Sequence, residues 1–331
     1  MMQRVIRHII LTLLTVICLG VEAQRSVMPA SLKTGDTIAV ISPSSVPDSA
    51  TIVKGCATLR SWGYIPVVGS HAMSSYHGFL GTADERAADM LWALRDPSVK
   101  AIICSRGGDG AVQVLQRIPL QEFRNHPKWV MGFSDVTALH SAEVSAGVMS
   151  IHCSMCDGIA MRGERDSVNM ILRRLLQGVL PTYQAPAHPL NQPGEATGLL
   201  VGGNFSVFCG LAGSQYDFLN RVDEGLILFI EDTDESMSKV DRMLHQLEIR
   251  GILSKLNGII VGHFSKYKYP ESGFADMYEM LHEYLQHYNI PICYDFPVGH
   301  HSGWNYPMVE GCRVNLKVGQ DGTLIQFVHP E

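Results

Sequence analysis

The feature that most constrains the fold is an alternation running from Asp36 to His140. Short apolar runs end in Gly, Pro or Ser, and each is followed by a stretch with apolar residues near helical spacing. Asp36–Ser45 (DTIAVISPSS) reads as a buried strand entering a loop. Residues 48–62 read as a helix: Asp48 and Ser49 stand at cap positions, Ile52, Val53, Ala57, Leu59 and Trp62 recur near helical spacing, and Gly63 stops it. The pattern repeats as Ile65–Val68, a helix over Asp84–Leu94, Val99–Cys104, a helix after Gly110, Trp129–Phe133 and a helix after Ser134. Strand, loop and helix in repetition predict an α/β fold with a mainly parallel, flavodoxin-like sheet. Ligands of such sheets gather at the carboxyl ends of the strands. Three loops are therefore singled out: Pro43-Ser44-Ser45, Arg106-Gly107-Gly108-Asp109-Gly110 and Ser134-Asp135.

Residues 178–198 are rich in Pro and Gly and poor in aliphatic side chains, which predicts a linker. The N-terminal domain then covers 24–177. A smaller, strand-richer mixed α/β domain covers 199–331, with a strand before Gly202-Gly203-Asn204, a strand at Leu226–Ile230, a helix over Ser236–Ile249 and strands near Ile259, Ile292, Val314 and Ile325.

The first 23 residues differ in kind. Arg4 and Arg7, then mostly apolar residues from Ile9 to Val21, then Val-Glu-Ala ending at Ala23, predict a secretory leader cleaved before Gln24. The alternative, an uncleaved anchor, needs about 20 apolar residues, which this run does not supply. The residues around Cys18 lack the small side chain expected before a lipidated cysteine. The expected mature chain of 308 residues is exported, to the periplasm or beyond, with no integral membrane segment and a net charge of −7. That balance excludes nucleic acid as a bulk electrostatic partner. Its seven cysteines, mostly within apolar stretches, read as small buried hydrophobes rather than a disulfide framework.

Chemistry concentrates at strand ends. In Lys128–His140 (KWVMGFSDVTALH), Ser134 stands at a strand-to-helix turn, either as a nucleophile beside helix N–H groups or as an ordinary N-cap. Arg106-Gly107-Gly108-Asp109-Gly110 has neither Rossmann nor P-loop spacing; it reads as an oxyanion-stabilising loop or a plain tight turn. Glu231-Asp232 ends an apolar strand, where a buried carboxylate needs a histidine, a metal, or an Arg or helix terminus as partner. Gly299-His300-His301 offers a base near neutral pH. Adjacent histidines point apart, and no His-x-x-x-His accompanies them, so no metal is predicted. Cys153-Ser154-Met155-Cys156 has redox spacing in the wrong surroundings for a thioredoxin-like site. His140, His152, His245 and His263 read as core or helix-face residues.

Taken in order, these segments resemble the serine LD-carboxypeptidase family, which includes murein tetrapeptide carboxypeptidases and microcin-immunity peptidases. The resemblance rests on Leu32–Asp36 with Ser42–Ser45, Arg106–Gly108, Gly132–His140, Gly202–Asn204, Phe229–Asp232 with Asp241–Leu244, and Gly299-His300 with Pro307. It implies a catalytic triad of Ser134, Glu231 and His300, the first from one domain and the others from the second. It also implies an oxyanion hole from the N–H groups of Asp135 and Gly108, with Arg106, Ser44, Ser45 and Asn204 around the substrate. The substrate class implied is a murein peptide ending in D-alanine, hydrolysed without a cofactor, by a homodimer. Two departures bear on substrate identity: Asp109 replaces a usual aromatic residue, and His152-Cys153-Ser154 replaces a usual His-Gly-Pro. A different acyl substrate and a periplasmic ligand-binding protein are the competing readings.

Overall fold

The computed structural model describes residues 26–77, 81–267, 273–301 and 303–330. The expected leader, residues 1–23, lies outside them. Among the described residues no helix is long and apolar enough to cross a membrane.

Strands β1 (Thr37–Ile41), β2 (Ile65–Val68), β3 (Val99–Cys104), β4 (Trp129–Gly132) and β5 (Ser150–His152) pair in parallel in the order 2-1-3-4-5. This is the flavodoxin-like order. The connecting helices start where local chemistry tells them to. Asp48 accepts the Ala50 N–H at 3.0 Å to open the helix Ser49–Ser61. Thr82 and Glu85 form a capping box at the start of Ala83–Arg95. One face of the sheet packs Ala39, Ile41, Ile102 and Val130 against helices, and the other buries Ile38, Val40, Ala101, Ile103 and Met131. Burial on both faces is why β1 and β4 in the sheet interior read as continuous apolar runs rather than alternating ones.

The remaining strands are β6 (Thr182–Ala185), β7 (Gly194–Asn204), β8 (Leu226–Thr233), β9 (Gly258–Ser265), β10 (Ile292–Cys293), β11 (Met308–Glu310), β12 (Arg313–Gly319) and β13 (Gly322–Val328). All but β11 form a mixed seven-stranded sheet in the order 10-9-8-7-12-13-6, parallel from β10 to β7 and antiparallel beyond. Residues 178–198, expected as a linker, carry β6 and the start of β7, both hydrogen-bonded into this sheet. The prolines misled because β6 is an edge strand, where Pro181 and Pro186 can flank the pairing without breaking it.

β11 goes elsewhere. It returns to the first sheet and pairs antiparallel with β5, placing Met308 opposite His152 and Glu310 opposite Ser150. The expected C-terminal stretch thus lends a strand to the N-terminal sheet. The two sheets also share one hydrophobic core, in which Leu200, Phe229, Ile260 and Leu316 join Ile38, Val40, Met131 and Ile151.

Candidate active site

β4 ends at Gly132, and after Phe133 the chain turns sharply at Ser134, whose φ is 64°. An L-residue held in this left-handed region costs about 1–2 kcal/mol, a strain that clusters at functional sites. The turn is tight: a Cβ on Gly132 would lie 2.8 Å from Val136 Cγ1. Ser134 is not a helix cap. The N-cap of the short turn Ser134–Val136 is Phe133, and that of the helix Thr137–Ser145 is Val136. His140, fully buried, braces the turn from below, with Nε2 2.9 Å from the Gly132 carbonyl and Nδ1 2.5 Å from Ser150 Oγ. A carbonyl only accepts, so Nε2 carries the proton and Nδ1 accepts from Ser150. Burial, against the Gly132 bond, lowers the His140 pKa to about 4, so the ring is neutral near pH 7.

Facing this turn, β8 delivers Glu231, fully buried, with Oε2 2.6 Å from His300 Nδ1. Gly299 permits the approach: its φ is 105°, and a Cβ there would lie 2.7 Å from Glu231 Oε2. The His300 ring packs on Phe133, centroids 4.8 Å apart, so the imidazole stands against the residue preceding Ser134. Burial alone would lower the His300 pKa. The Glu231 charge and hydrogen bond, with Asp232 behind, outweigh it and raise the value above that of a free histidine. His301 turns away, stacking on His263 at 4.2 Å, with Nδ1 accepting the Gly303 N–H.

The glycine loop lies between these parts. A Cβ on Gly107 would sit 3.0 Å from Ser134 Cβ, whereas one on Gly108 would collide with Ser45 Oγ at 2.0 Å. It is Gly107, therefore, that brings the loop backbone against Ser134, while Gly108 packs on Ser45, whose Oγ accepts the Asp109 N–H at 3.1 Å. Arg106 stays exposed, with Nη1 donating to the Val46 carbonyl at 3.2 Å.

Two residues expected around the substrate are engaged inside the protein instead. Ser44 is buried and donates to Asp135 Oδ2 at 2.6 Å, and the same oxygen accepts the Ala111 N–H at 2.9 Å. Asn204 donates from Nδ2 to Asp232 at 3.0 Å, accepts the Val207 N–H, and gives its own N–H to Thr137 Oγ1 at 3.0 Å. Its role is to seat Asp232 and to bind the end of β7 to the helix behind Ser134.

Both halves of the chain match family sequence models: residues 38–153 match the LD-carboxypeptidase N-terminal domain, and residues 197–316 match its C-terminal domain. The chain belongs to the LD-carboxypeptidase family. Among its relatives in this family, a Bacillus subtilis (strain 168) protein named "Probable murein peptide carboxypeptidase" is 34% identical, over 82% of this chain and 86% of that one. The murein tetrapeptide carboxypeptidase of Pseudomonas aeruginosa is 27% identical, over 84% and 94%. The microcin C7 self-immunity protein of Escherichia coli is 25% identical, over 82% and 88%. The fold matches that of the muramoyltetrapeptide carboxypeptidase from Oxalobacter formigenes with a TM-score of 0.79 at 24% identity, covering 89% of this chain and all of that one.

Three supports of this LD-carboxypeptidase site were not picked out from its sequence. Asp232 is held by Asn204 and by the Ser206 and Thr233 N–H groups, yet burial and the neighbouring Glu231 charge raise its pKa to about 6. Arg86, buried, donates to the carbonyls of Pro43 (2.5 Å) and Gly110 (2.8 Å), clasping two of the site loops. His140 was read only as a core residue. The adjacent Glu-Asp pair was the one visible signal; the Arg86 and His140 contacts span loops that spacing does not relate.

Proposed function

We propose that the chain is a serine LD-carboxypeptidase that removes the terminal D-alanine from murein tetrapeptide. The observation that carries this reading is the buried Glu231–His300 pair standing against the strained turn at Ser134. In this mechanism, His300 Nε2 takes the proton from Ser134 Oγ as it attacks the carbonyl before D-alanine. Glu231 fixes the tautomer with the proton on Nδ1 and stabilises the imidazolium. Collapse of the tetrahedral intermediate passes that proton to the departing D-alanine amine and leaves an acyl-enzyme. Water, activated by the same imidazole, then releases the tripeptide. The N–H groups of Asp135 and Gly108 hold the oxyanion, and the exposed Arg106 guanidinium takes the substrate's terminal carboxylate.

The substrate assignment follows the names of the relatives, with the murein-peptide relative at 34% identity against 25% for the self-immunity protein. The leader expected over residues 1–23 favours action outside the cytoplasm, and a homodimer is the assembly we propose, which light scattering measures. The test is incubation of the exported protein with murein tetrapeptide, with D-alanine read by mass spectrometry. Release no faster than by Ser134→Ala would sink the reading. The self-immunity relative supports a second acyl substrate, an aminoacyl group on a nucleotide. A panel holding both muropeptides and such conjugates separates the two.

A further inference from the structure

Cys56 and Cys156 are distant in sequence and adjacent in space. Cys56 lies in the helix Ser49–Ser61, and Cys156 opens the helix Cys156–Arg162. The two helices meet at Gly55, where a Cβ would lie 2.2 Å from Cys156 Sγ and 2.6 Å from the Cys156 carbonyl oxygen. Glycine at that position is what admits the second thiol. Cys156 Sγ also reaches the carbonyl of Ile52, one turn before Cys56, at 3.9 Å. Both cysteines are buried, on helices that pack against each other at Gly55. The neighbouring Cys156 thiol, aided by Arg60 and against burial, lowers the Cys56 pKa below that of a free thiol. A lowered pKa favours the thiolate, the form that enters disulfide exchange.

We propose that Cys56 and Cys156 are joined by a disulfide when the chain folds in an oxidising compartment. The oxidant is a small-molecule disulfide such as oxidised glutathione. Cys56 thiolate attacks one of its sulfurs, forming a mixed disulfide and expelling one glutathione thiolate. Cys156 then loses its proton to solvent and attacks the Cys56 sulfur, expelling the second. Two protein thiols are oxidised and one glutathione disulfide is reduced to two thiols. The bond ties together two segments that wall the Ser134 site. Helix Ser49–Ser61 follows the loop carrying Ser44 and Ser45, and Cys156 follows Met155, whose Cε lies 3.5 Å from where a Gly107 Cβ would be.

The test is direct. The full chain is refolded in a glutathione redox buffer or in dithiothreitol, thiols are alkylated in denaturant, and non-reduced digests are mapped by mass spectrometry. A peptide linking Cys56 to Cys156 after oxidation, with Cys104, Cys153, Cys209, Cys293 and Cys312 alkylated, is the expected result. Alkylation of both Cys56 and Cys156 after oxidation overturns the proposal, as does pairing of either with another cysteine. Thermal unfolding gives a second reading: oxidised protein should melt about 5 °C or more above reduced protein, because the bond closes a long loop. That difference should vanish in Cys56→Ser and in Cys156→Ser and persist in Cys209→Ser. Equal melting temperatures in the two redox states for a wild-type chain shown to carry the linked peptide would remove the stabilising role.

Discussion

His300 Nδ1 lies 2.6 Å from Glu231 Oε2, and the glutamate is wholly buried while the imidazole packs on Phe133, the residue before Ser134. A buried carboxylate with one imidazole partner sets that ring's protonation. Replacing Glu231 by Gln removes the charge that raises the His300 pKa and leaves burial, which lowers it. The acidic limb of the kcat/KM profile should therefore move to lower pH in Glu231→Gln, while kcat falls by about 10³–10⁴. An unmoved limb in pH-rate profiles of the two proteins would detach Glu231 from His300 titration.

Ser134 pays for its position in backbone strain, with φ at 64°. Glycine occupies that region freely, so Ser134→Gly should abolish turnover yet exceed Ser134→Ala in stability by about 1 kcal/mol. Urea unfolding of the two variants measures the difference. A glycine variant no more stable than the alanine one means that the turn is unstrained.

Gly299 is the close approach that seats Glu231. With φ at 105° and a Cβ 2.6 Å from Glu231 Cβ, Gly299→Ala must displace either the His300 loop or the carboxylate. We expect a loss of about 2–4 kcal/mol and at least a hundredfold drop in kcat. Gly319→Ala, whose Cβ meets nothing nearer than 3.8 Å, is the control. Calorimetry and steady-state kinetics on both variants decide it, and equal behaviour would refute the packing argument.

Asp232 gives a pH dependence of stability. Its folded pKa is raised from 3.8 to about 6, so the folded state holds its proton more tightly than the unfolded chain. The contribution, about 3 kcal/mol, is fully present below pH 3.8 and is lost as pH rises through about 6. Asp232→Asn cannot ionise, and its unfolding free energy should lack that part of the decline between pH 4 and pH 7. Parallel urea midpoints across that range for both proteins would contradict the assignment.

What could be read from the sequence was what is local. β4 and the first five residues of β8 are unbroken apolar runs because both faces of their sheets are covered; Ser134 follows the first and Glu231 ends the second. Asp48 announces its helix at once, whereas the Thr82–Glu85 box that opens the next one went unread. What was missed is non-local or lacks a period. β11 has three residues, too few for any pattern, and its partner β5 lies some 150 positions earlier. Ser44 and Asn204 were placed around a substrate because loop polarity says nothing about direction; each is spent on a neighbouring carboxylate. Arg86 clasps two loops that only the folded sheet brings together.

The return of β11 to the first sheet has a mechanical consequence. The chain crosses between the two sheets before β6 and again after the His300 loop, then crosses back after Glu310, so three connections would have to stretch for the halves to part. Ligand-capturing proteins that close like a clamshell bend at their connections and leave the lobes otherwise independent. Here a strand of one lobe is stitched into the sheet of the other, beside β5. Such a stitched molecule resists hinge bending, so any opening of the cleft falls to its surface loops.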